Sequence, residues 1–243
     1  MKEVTFWQKL ISVCVWITGF LVFVPAVITV YLWAHFRHSP WFEHFTKAAA
    51  RAIVRSFFIR VNVRGHEQLN LDSTYLFVAN HVNIFDVFVL FGYLPNITRA
   101  IELEDHFSWP LYGRMITRLG IIPISHGHPR RAMRSLRQAL REMERGMSMI
   151  ILPEGSRTIT GHFKPFQPGA FYLAKKSNCP VVPVVMNGAF RIKRKTNWLI
   201  RPGTITLDIG TPLPPDSFNN QSIEASRDTL LARMTAMKVP ESA

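Results

Sequence analysis

Two short segments of the sequence carry residue types suited to proton transfer and to anion binding. The first is NHVNIFD at positions 80–86, in which His81 and Asp86 are a candidate imidazole–carboxylate pair. A carboxylate in such a pair orients the imidazole and stabilises its protonated form, so that the imidazole acts as a general base. Asp86 also suits a second role, because a helix capped by Asn83 would place it at the third helical position, where carboxylates stabilise helix ends.

The two side chains meet in only one local arrangement. On a continuous helix of ~3.6 residues per turn, positions five apart point roughly 140° away from each other. His81 must therefore lie in the turn that precedes the helix, with Asp86 in the first helical turn. The sequence fits this arrangement, since the apolar run 75–79 ends directly before the motif and Asn83 is a good N-cap.

The second segment is LPEGSRT at positions 152–158. Gly155 permits close approach of the backbone to a ligand, and the guanidinium of Arg157 offers a planar fork that matches phosphate oxygens. A tight turn with a surface arginine is the alternative interpretation. Both segments follow predicted strands, and ligands of open α/β sheets bind beyond the carboxyl ends of strands. We therefore expect the two segments to share one edge of a sheet.

The elements that would position these segments alternate between strands and helices. Apolar runs typical of strands occur at 58–63, 75–79, 120–124, 147–152, 181–185 and 204–209. Between them, residues 130–146 show one apolar stripe at helical spacing, and residues 223–238 are predicted to form a closing helix. This alternation predicts an α/β fold with a mostly parallel sheet flanked by helices.

The start of the chain is apolar, with no charged residue between Leu10 and Trp33. As a helix, 24 positions at ~1.5 Å each cover roughly 36 Å, which is enough for a ~30 Å hydrocarbon core. The run is too long for a secretory signal, so we predict a retained membrane anchor. Pro25 leaves a kinked or re-entrant helix open beside a straight span, and a buried core helix is a further alternative.

Residues 41–59 predict a second, amphipathic helix. Its charged residues recur every four positions, at Glu43, Lys47, Arg51 and Arg55. Such a helix suits the headgroup layer of a membrane, or it packs its apolar side on the domain. We assign residues 1–57 to a membrane anchor with this helix, and residues 58–243 to a catalytic domain. Basic residues cluster after the apolar run, which favours a cytoplasmic location for the domain.

Composition narrows the class of protein. The 243 residues are 48% hydrophobic and 19% charged, which excludes disorder as the main state. The net charge of +13 predicts an anionic partner. Two cysteines cannot form a disulfide framework, and no spacing suggests a metal site. The basic residues concentrate in two sets: Arg130, Arg134, Arg137, Arg141 and Arg145 on the predicted helix, and Arg191, Lys193, Arg194, Lys195 and Arg201 further on.

Together the motifs carry a family resemblance. The chain resembles the lysophospholipid acyltransferase family, typified by bacterial 1-acyl-glycerol-3-phosphate acyltransferases. The catalytic block of that family, Asn-His-x4-Asp, is similar to Asn80, His81 and Asp86. Its glycerol-phosphate block, Pro-Glu-Gly-Thr/Ser-Arg, is similar to residues 153–157, and its Val-Pro-Val block to residues 182–184. The blocks occur in the family's order over roughly residues 58–210.

The resemblance implies a membrane-bound enzyme that transfers a fatty acyl group from acyl-CoA or acyl-carrier protein to the hydroxyl of a lysophospholipid. It implies no resident cofactor or metal, no nucleic-acid partner, and a location on the inner or another cytoplasm-facing membrane. The implied catalytic residues are His81 and Asp86. The implied substrate-binding residues are Asn80, His126, Glu154, Gly155, Ser156 and Arg157.

One block departs from the family pattern. Where the family has Gly-x-x-Phe-Ile-x-Arg, residues 120–127 read GIIPISHG, and His126 stands where the phosphate-binding arginine is expected. The acceptor is therefore 1-acyl-glycerol-3-phosphate or another lysolipid, such as lyso-ornithine lipid or lysophosphatidylglycerol. A basic membrane-associated or nucleic-acid-binding protein without catalysis is the alternative from another class.

Overall fold

The computed structural model describes residues 5–37, 39–125 and 127–240. In these ranges the chain forms seven strands and nine α-helices. The strands are β1 Ile59–Arg64, β2 Leu76–Ala79, β3 Thr98–Leu103, β4 Ile122–Ile124, β5 Ser148–Ile151, β6 Val181–Asn187 and β7 Gly203–Ile209. The helices are α1 Phe6–Trp33, α2 Pro40–Ser56, α3 Asp86–Tyr93, α4 Tyr112–Arg118, α5 Pro129–Glu144, α6 Pro168–Lys176, α7 Ala189–Ile192, α8 Asp216–Asn219 and α9 Ile223–Met237.

The strands form one mostly parallel sheet in the order β1-β7-β6-β2-β5-β3-β4. All neighbours pair in parallel except β6 and β7, which are antiparallel. The predicted α/β class is confirmed. Among the described strands, β3 is the one that the sequence did not predict, because its run Thr98–Leu103 contains Arg99 and Glu102 among its apolar residues. The helices α4, α6, α7 and α8 were also not predicted.

Successive residues of the central strands point to opposite faces of the sheet, and each face has its own core. Phe77 and Val182 belong to a core with helices α1 to α4, whereas Leu76 and Val181 belong to one with α5, α6 and α9. We call these the anchor face and the stripe face. The layered arrangement leaves the carboxyl ends of β2, β5, β3 and β4 at one open edge.

Helix α1 packs along the domain instead of projecting from it. Near its start, Ser12 Oγ donates to the carbonyl of Ile200 at 3.1 Å, and near its end Arg118 donates to the carbonyl of Tyr31 at 3.2 Å. In the middle, the close approach needs Gly19, because a Cβ there would lie 2.2 Å from the ring of Phe57. The contacts thus span 19 helical positions, or about 28 Å.

Candidate active site

His81 and Asp86 form the predicted pair at the open edge of the sheet. His81 follows β2, and Asp86 begins α3, so the chain turns between them. The imidazole Nδ1 lies 2.7 Å from Asp86 Oδ2. The His81 side chain is 23% exposed and the Asp86 side chain 1% exposed. A buried carboxylate therefore holds an imidazole whose other nitrogen, Nε2, is left for substrate.

The same carboxylate oxygen also organises the turn. Oδ2 of Asp86 accepts hydrogen bonds from the backbone N–H groups of Val82 at 2.5 Å and Asn83 at 3.0 Å. One carboxylate thus orients the imidazole and stabilises the turn before α3, but Asp86 is the first helical residue and not the third, as the alternative interpretation required. Three donors on a single oxygen fix the ring plane of His81 before any substrate binds.

The predicted N-cap at Asn83 is wrong. Helix α3 begins at Asp86, with Phe85 as the N-cap residue. Oδ1 of Asn83 accepts from the N–H of Phe85 at 2.8 Å, and its amide donates to the carbonyl of Ala189 at 2.8 Å. Asn83 prefers this local turn because its side chain mimics a backbone carbonyl two residues away.

Asn80 is buried beneath the pair. Its Oδ1 accepts from the backbone N–H of Met186 at 2.8 Å, which ties the end of β2 to β6. The residue is 1% exposed. Asn80, which was predicted to bind substrate, is therefore buried below the site, where it fixes the end of the strand that precedes His81.

Glu154 joins the two sequence motifs. Its Oε1 accepts from the backbone N–H of His81 and its Oε2 from the backbone N–H of Lys164, both at 2.8 Å. The N–H of Thr158 donates to the carbonyl of His81 at 2.9 Å, which adds a second tie. Burial raises the pKa of Glu154, and the two backbone hydrogen bonds oppose the rise. The structure thus places Glu154 as a buried strut and not at the substrate surface.

The loop after Glu154 turns at Gly155, whose φ of 65° lies in the left-handed region. This turn brings Ser156 and Arg157, both partly exposed, to the side of the site. The ammonium of Lys164 donates to Ser156 Oγ. Lys193 lies close enough to Arg157 for the two positive charges to interact, and burial together with Arg157 lowers the pKa of Lys193. An anion bound here would meet several cations.

Sequence reasoning missed Lys164 and treated Lys193 only as part of a basic surface cluster. The available signal was the position of Lys164 in the loop directly after the PEGSR motif. Lys193 gave no local signal, because the backbone following β6 brings it beside Arg157. Its ammonium donates to the carbonyls of Arg194, at 2.7 Å, and Asn197, so it is anchored within its own loop.

His126 lies outside the described residues, so its predicted role stays a prediction. The neighbouring Ser125 donates to Glu104 Oε1 at 2.8 Å, and Arg131 approaches the same oxygen at 3.4 Å. A carboxylate is thus present near the block that departs from the family pattern. No group of three or more histidine, cysteine or acidic side chains in the described ranges is arranged to hold a metal ion.

A small apolar cavity of about 60 Å³ lies between helices α1 to α4. Val87 and Phe88, which follow Asp86 directly in the chain, form part of its wall. Ala49 and Val27 contribute from α2 and α1. The polar groups in the wall include Tyr112, whose pKa is raised above its ordinary value by burial and by Glu102. The cavity is apolar, and its size is that of a few methylene groups and not of a whole acyl chain.

The fold and the site define a class of protein: an α/β domain that places an imidazole–carboxylate pair beside a loop with cationic side chains. Residues 60–187, which are just over half of the chain, match the family model described as Acyltransferase. The chain therefore belongs to the acyltransferase family. The resemblance carried by the sequence motifs is confirmed.

Individual relatives agree with this assignment. The chain is 26% identical over 219 residues to a 1-acyl-sn-glycerol-3-phosphate acyltransferase of Cocos nucifera, covering 90% of this chain and 68% of the relative. It is 29% identical over 166 residues to the protein of that name from Pseudomonas aeruginosa, covering 68% and 63%. The chain spans between 52% and 68% of the length of the curated relatives that it matches.

The fold has a solved counterpart. The crystal structure of PlsC, the 1-acyl-sn-glycerophosphate acyltransferase of Thermotoga maritima, superimposes with a TM-score of 0.75 at 22% sequence identity. The alignment covers 95% of both chains, including helix α1. This likeness confirms the fold, with its sheet, its flanking helices and its apolar N-terminal helix.

Proposed function

We propose that the protein is a membrane-bound O-acyltransferase that acylates the free hydroxyl of 1-acyl-glycerol-3-phosphate and yields phosphatidic acid. The acyl donor is a thioester of CoA or of acyl-carrier protein. The observation that carries the proposal is the joining of the His81–Asp86 pair to the Arg157 loop through Glu154 and Thr158. The names of the relatives support the choice of acceptor.

The geometry supports a direct transfer without an acyl-enzyme. Nδ1–H of His81 donates to Asp86, so Nε2 takes the proton as the acceptor hydroxyl attacks the thioester carbonyl carbon. Asp86 stabilises the imidazolium that forms. The tetrahedral intermediate then expels the thiolate, which receives the proton from Nε2. Thiols ionise near ~8.5, far below alcohols, so the thiolate is the better leaving group. No cofactor takes part in these steps.

The acceptor phosphate binds between Arg157 and Lys164 in this proposal. The guanidinium offers paired donors and the ammonium a further charge, while Ser156 links the two. Glu154 acts through the backbone of His81 and Lys164, and thereby sets the distance between base and phosphate. We assign the acyl chain of the donor to the apolar side chains of α1 to α4 that surround the small cavity.

Helix α1 supplies the membrane attachment. With the short turn that follows it, this helix is long and apolar enough to cross a membrane. The side chains of Phe6, Ile17 and Leu21 are 71%, 55% and 70% exposed, which is a large apolar surface to leave in water. Because the helix contacts the domain near both ends, we propose that it lies along the cytoplasmic side of the bilayer, with this surface in lipid.

The first experiment makes two single variants, His81→Ala and Asp86→Asn, and measures acyl transfer to 1-acyl-glycerol-3-phosphate in each. Loss of the general base is expected to lower kcat about 10²- to 10⁴-fold. His66→Ala, at an exposed histidine that ion-pairs with Glu67, is the control and keeps its rate. A folded His81→Ala protein with an unchanged rate would contradict the mechanism and favour a basic protein without catalysis.

The second experiment offers the enzyme several acceptors with one labelled acyl donor. Lysophosphatidate is expected to give the highest kcat/KM, with lysophosphatidylglycerol and lyso-ornithine lipid below it. The Lys164→Gln variant should lose more activity toward the phosphate monoester than toward the ornithine lipid. A wild-type preference for the phosphate-free acceptor would refute the assignment of substrate while leaving the transferase chemistry intact.

A further inference from the structure

Helix α5 and its C-cap residue carry an arginine stripe, which consists of Arg130, Arg134, Arg137, Arg141 and Arg145, all of them exposed. Successive members are three or four positions apart, so they share one face of the helix. The opposite face packs Leu136, Ala139 and Met143 into the core of the stripe face. From first to last arginine the stripe covers 15 helical positions, or about 22 Å.

The stripe is costly for an isolated helix. Like charges at neighbouring helical turns repel by roughly 0.2–0.5 kcal/mol per pair. The first turn of α5 contains no acidic residue, so the partial positive charge of the helix N-terminus lies beside Arg130 without a compensating carboxylate there. Within the described residues, the stripe has one ion pair, between Arg145 and Glu142 at 3.0 Å. An acidic partner would reduce both the repulsion between the arginines and the unfavourable interaction of Arg130 with the helix N-terminus.

The location of the stripe favours a soluble partner over the bilayer. Helix α5 covers the face of the sheet opposite to α1 and α2. If the exposed apolar side of α1 lies in lipid, the arginine stripe points away from the membrane. The second basic cluster, at residues 191–201, differs in this respect because that region contacts α1. The indole N–H of Trp16 in α1 donates to the carbonyl of Trp198 at 2.8 Å. That cluster is placed to meet lipid headgroups, and the stripe is placed to meet a soluble partner.

The stripe begins near the catalytic edge. Helix α5 follows β4, whose carboxyl end lies at the same edge of the sheet as that of β2. Strands β5 and β3 lie between them, so three spacings of ~4.8 Å place the end of β4, five positions before the start of α5, on the order of 14 Å from the end of β2. A partner seated on α5 could reach His81 with an extended flexible arm.

We infer that the arginine stripe of α5 docks acyl-carrier protein, and that this acidic protein delivers the acyl thioester to His81 on its phosphopantetheine arm. The inference rests on the proposed function and specifies its donor. A row of five arginines about 22 Å long fits an acidic helix, whereas the nucleotide of CoA would cover only part of it. Complementary charge of this kind speeds association and makes it dependent on salt.

The test compares two donors and two matched variants of the full chain in mixed micelles. The variant Arg137→Glu with Arg141→Glu reverses two charges in the middle of the stripe. The control Arg60→Glu with Arg64→Glu reverses two exposed charges on β1, at the far edge of the sheet. We expect kcat/KM for acyl-carrier protein to fall about tenfold in the stripe variant. With acyl-CoA, the stripe variant should stay within about twofold of wild type.

Binding of holo-acyl-carrier protein without an acyl chain, followed by fluorescence anisotropy, gives a readout that is independent of turnover. The stripe variant should weaken this binding about tenfold, and 300 mM salt should weaken wild-type binding comparably. Normal binding by the stripe variant, equal loss in the β1 control, or equal loss with both donors would overturn the inference. Loss of binding to anionic vesicles in the stripe variant would overturn it in favour of a membrane contact.

Binding of the carrier protein together with absent acyl transfer in the wild type would instead refute the proposed function. The two failures are therefore distinguishable, because docking and chemistry are measured separately.

Discussion

The two faces of the sheet bury similar cores but present opposite surfaces. On the anchor face, exposed side chains such as Ile17 and Leu21 are apolar, and charged groups such as Glu43 and Lys47 are buried. On the stripe face, helix α5 buries its apolar side chains and exposes its arginines. The stripe face has the arrangement usual in soluble proteins, with apolar side chains buried and charged side chains exposed. The anchor face has the reverse arrangement.

The contrast between the apolar surface of the anchor face and the charged surface of the stripe face suggests, under the proposed function, a separate entry side for each substrate. A lysolipid and the apolar part of an acyl donor are accessible from a surface in contact with lipid, whereas a charged donor carrier is accessible from water. The catalytic edge, with His81 and Arg157, lies between the two faces. Under the proposed function, a lipid acceptor and a water-soluble carrier therefore reach the imidazole of His81 from opposite sides.

The largest effect is expected from a charge on the exposed apolar surface. Leu21→Glu exchanges an apolar side chain that is 70% exposed for a carboxylate. An apolar side chain such as Leu21 contributes about 1.5–3 kcal/mol when it is buried in lipid, so its loss lowers partition roughly 10- to 160-fold. Binding to liposomes, measured by sedimentation, should fall by that factor, and so should activity on vesicle-borne acceptor.

The matched control makes the same change on the stripe face. Ile223→Glu alters an exposed apolar residue, 41% accessible, at the start of α9. It should leave liposome binding within about twofold of wild type. A soluble short-chain acceptor should be acylated normally by both variants. Equal losses of liposome binding in the two variants would contradict the assignment of α1 as the membrane-contacting surface.

The next effect concerns the buried charges of the anchor face. The ammonium of Lys47 donates to the carbonyls of Leu94, Pro95 and Asn96 at 2.7–2.9 Å and so closes the turn between α3 and β3. Lys47→Met removes these donors and leaves buried carbonyls unpaired, which should lower the free energy of unfolding by about 2 kcal/mol. Arg137→Met on α5 should change it by less than about 0.5 kcal/mol. Urea denaturation in detergent measures both.

The pH dependence of the difference in unfolding free energy between the wild type and Lys47→Met tests the burial of Lys47. Burial lowers the pKa of Lys47 from 10.5 to about 8, with Glu43 opposing the shift. Between these values the unfolded chain binds the proton and the folded chain does not, so stability rises with pH. The wild type should therefore gain stability over Lys47→Met between pH 8 and 10. A difference that stays constant over this interval would show that Lys47 is solvated in the fold.

The fold was largely predictable because its signals are local. Six of the seven strands are apolar runs, and the helical stripe at 130–146 matches α5. Strand β3 escaped because Arg99 and Glu102 interrupt its pattern. In the structure, Arg99 is buried against Glu43 at 3.0 Å, so a distant helix supplies the counter-charge that permits an arginine in a strand. No local pattern encodes that partner.

The site was predictable where a motif fixed the geometry. The His81–Asp86 contact and the position of the Gly155 turn followed from spacing and from the strand before each motif. The role of Glu154 as a strut did not, because its two partners are backbone N–H groups of His81 and Lys164, 73 and 10 positions away. Backbone partners leave no trace in residue types. The cavity was equally hidden, since its wall combines four helices.

The smallest effect tests that cavity, which is a feature of the anchor face. Ala49 lines it from α2, whereas the adjacent Ala48 is exposed. Ala49→Phe should fill part of the space and reduce kcat/KM for a long-chain acyl donor about tenfold, because the lost apolar contacts and the strain of overpacking together amount to about 1–2 kcal/mol. An octanoyl donor, which needs less of the cavity, should react within about twofold of its wild-type rate, and Ala48→Phe should leave both donors unaffected. A series of donors of increasing length locates the point at which the two variants diverge. If Ala49→Phe slowed the short and the long donor equally, the cavity would not hold the acyl chain, and the anchor face would serve the acceptor lipid alone.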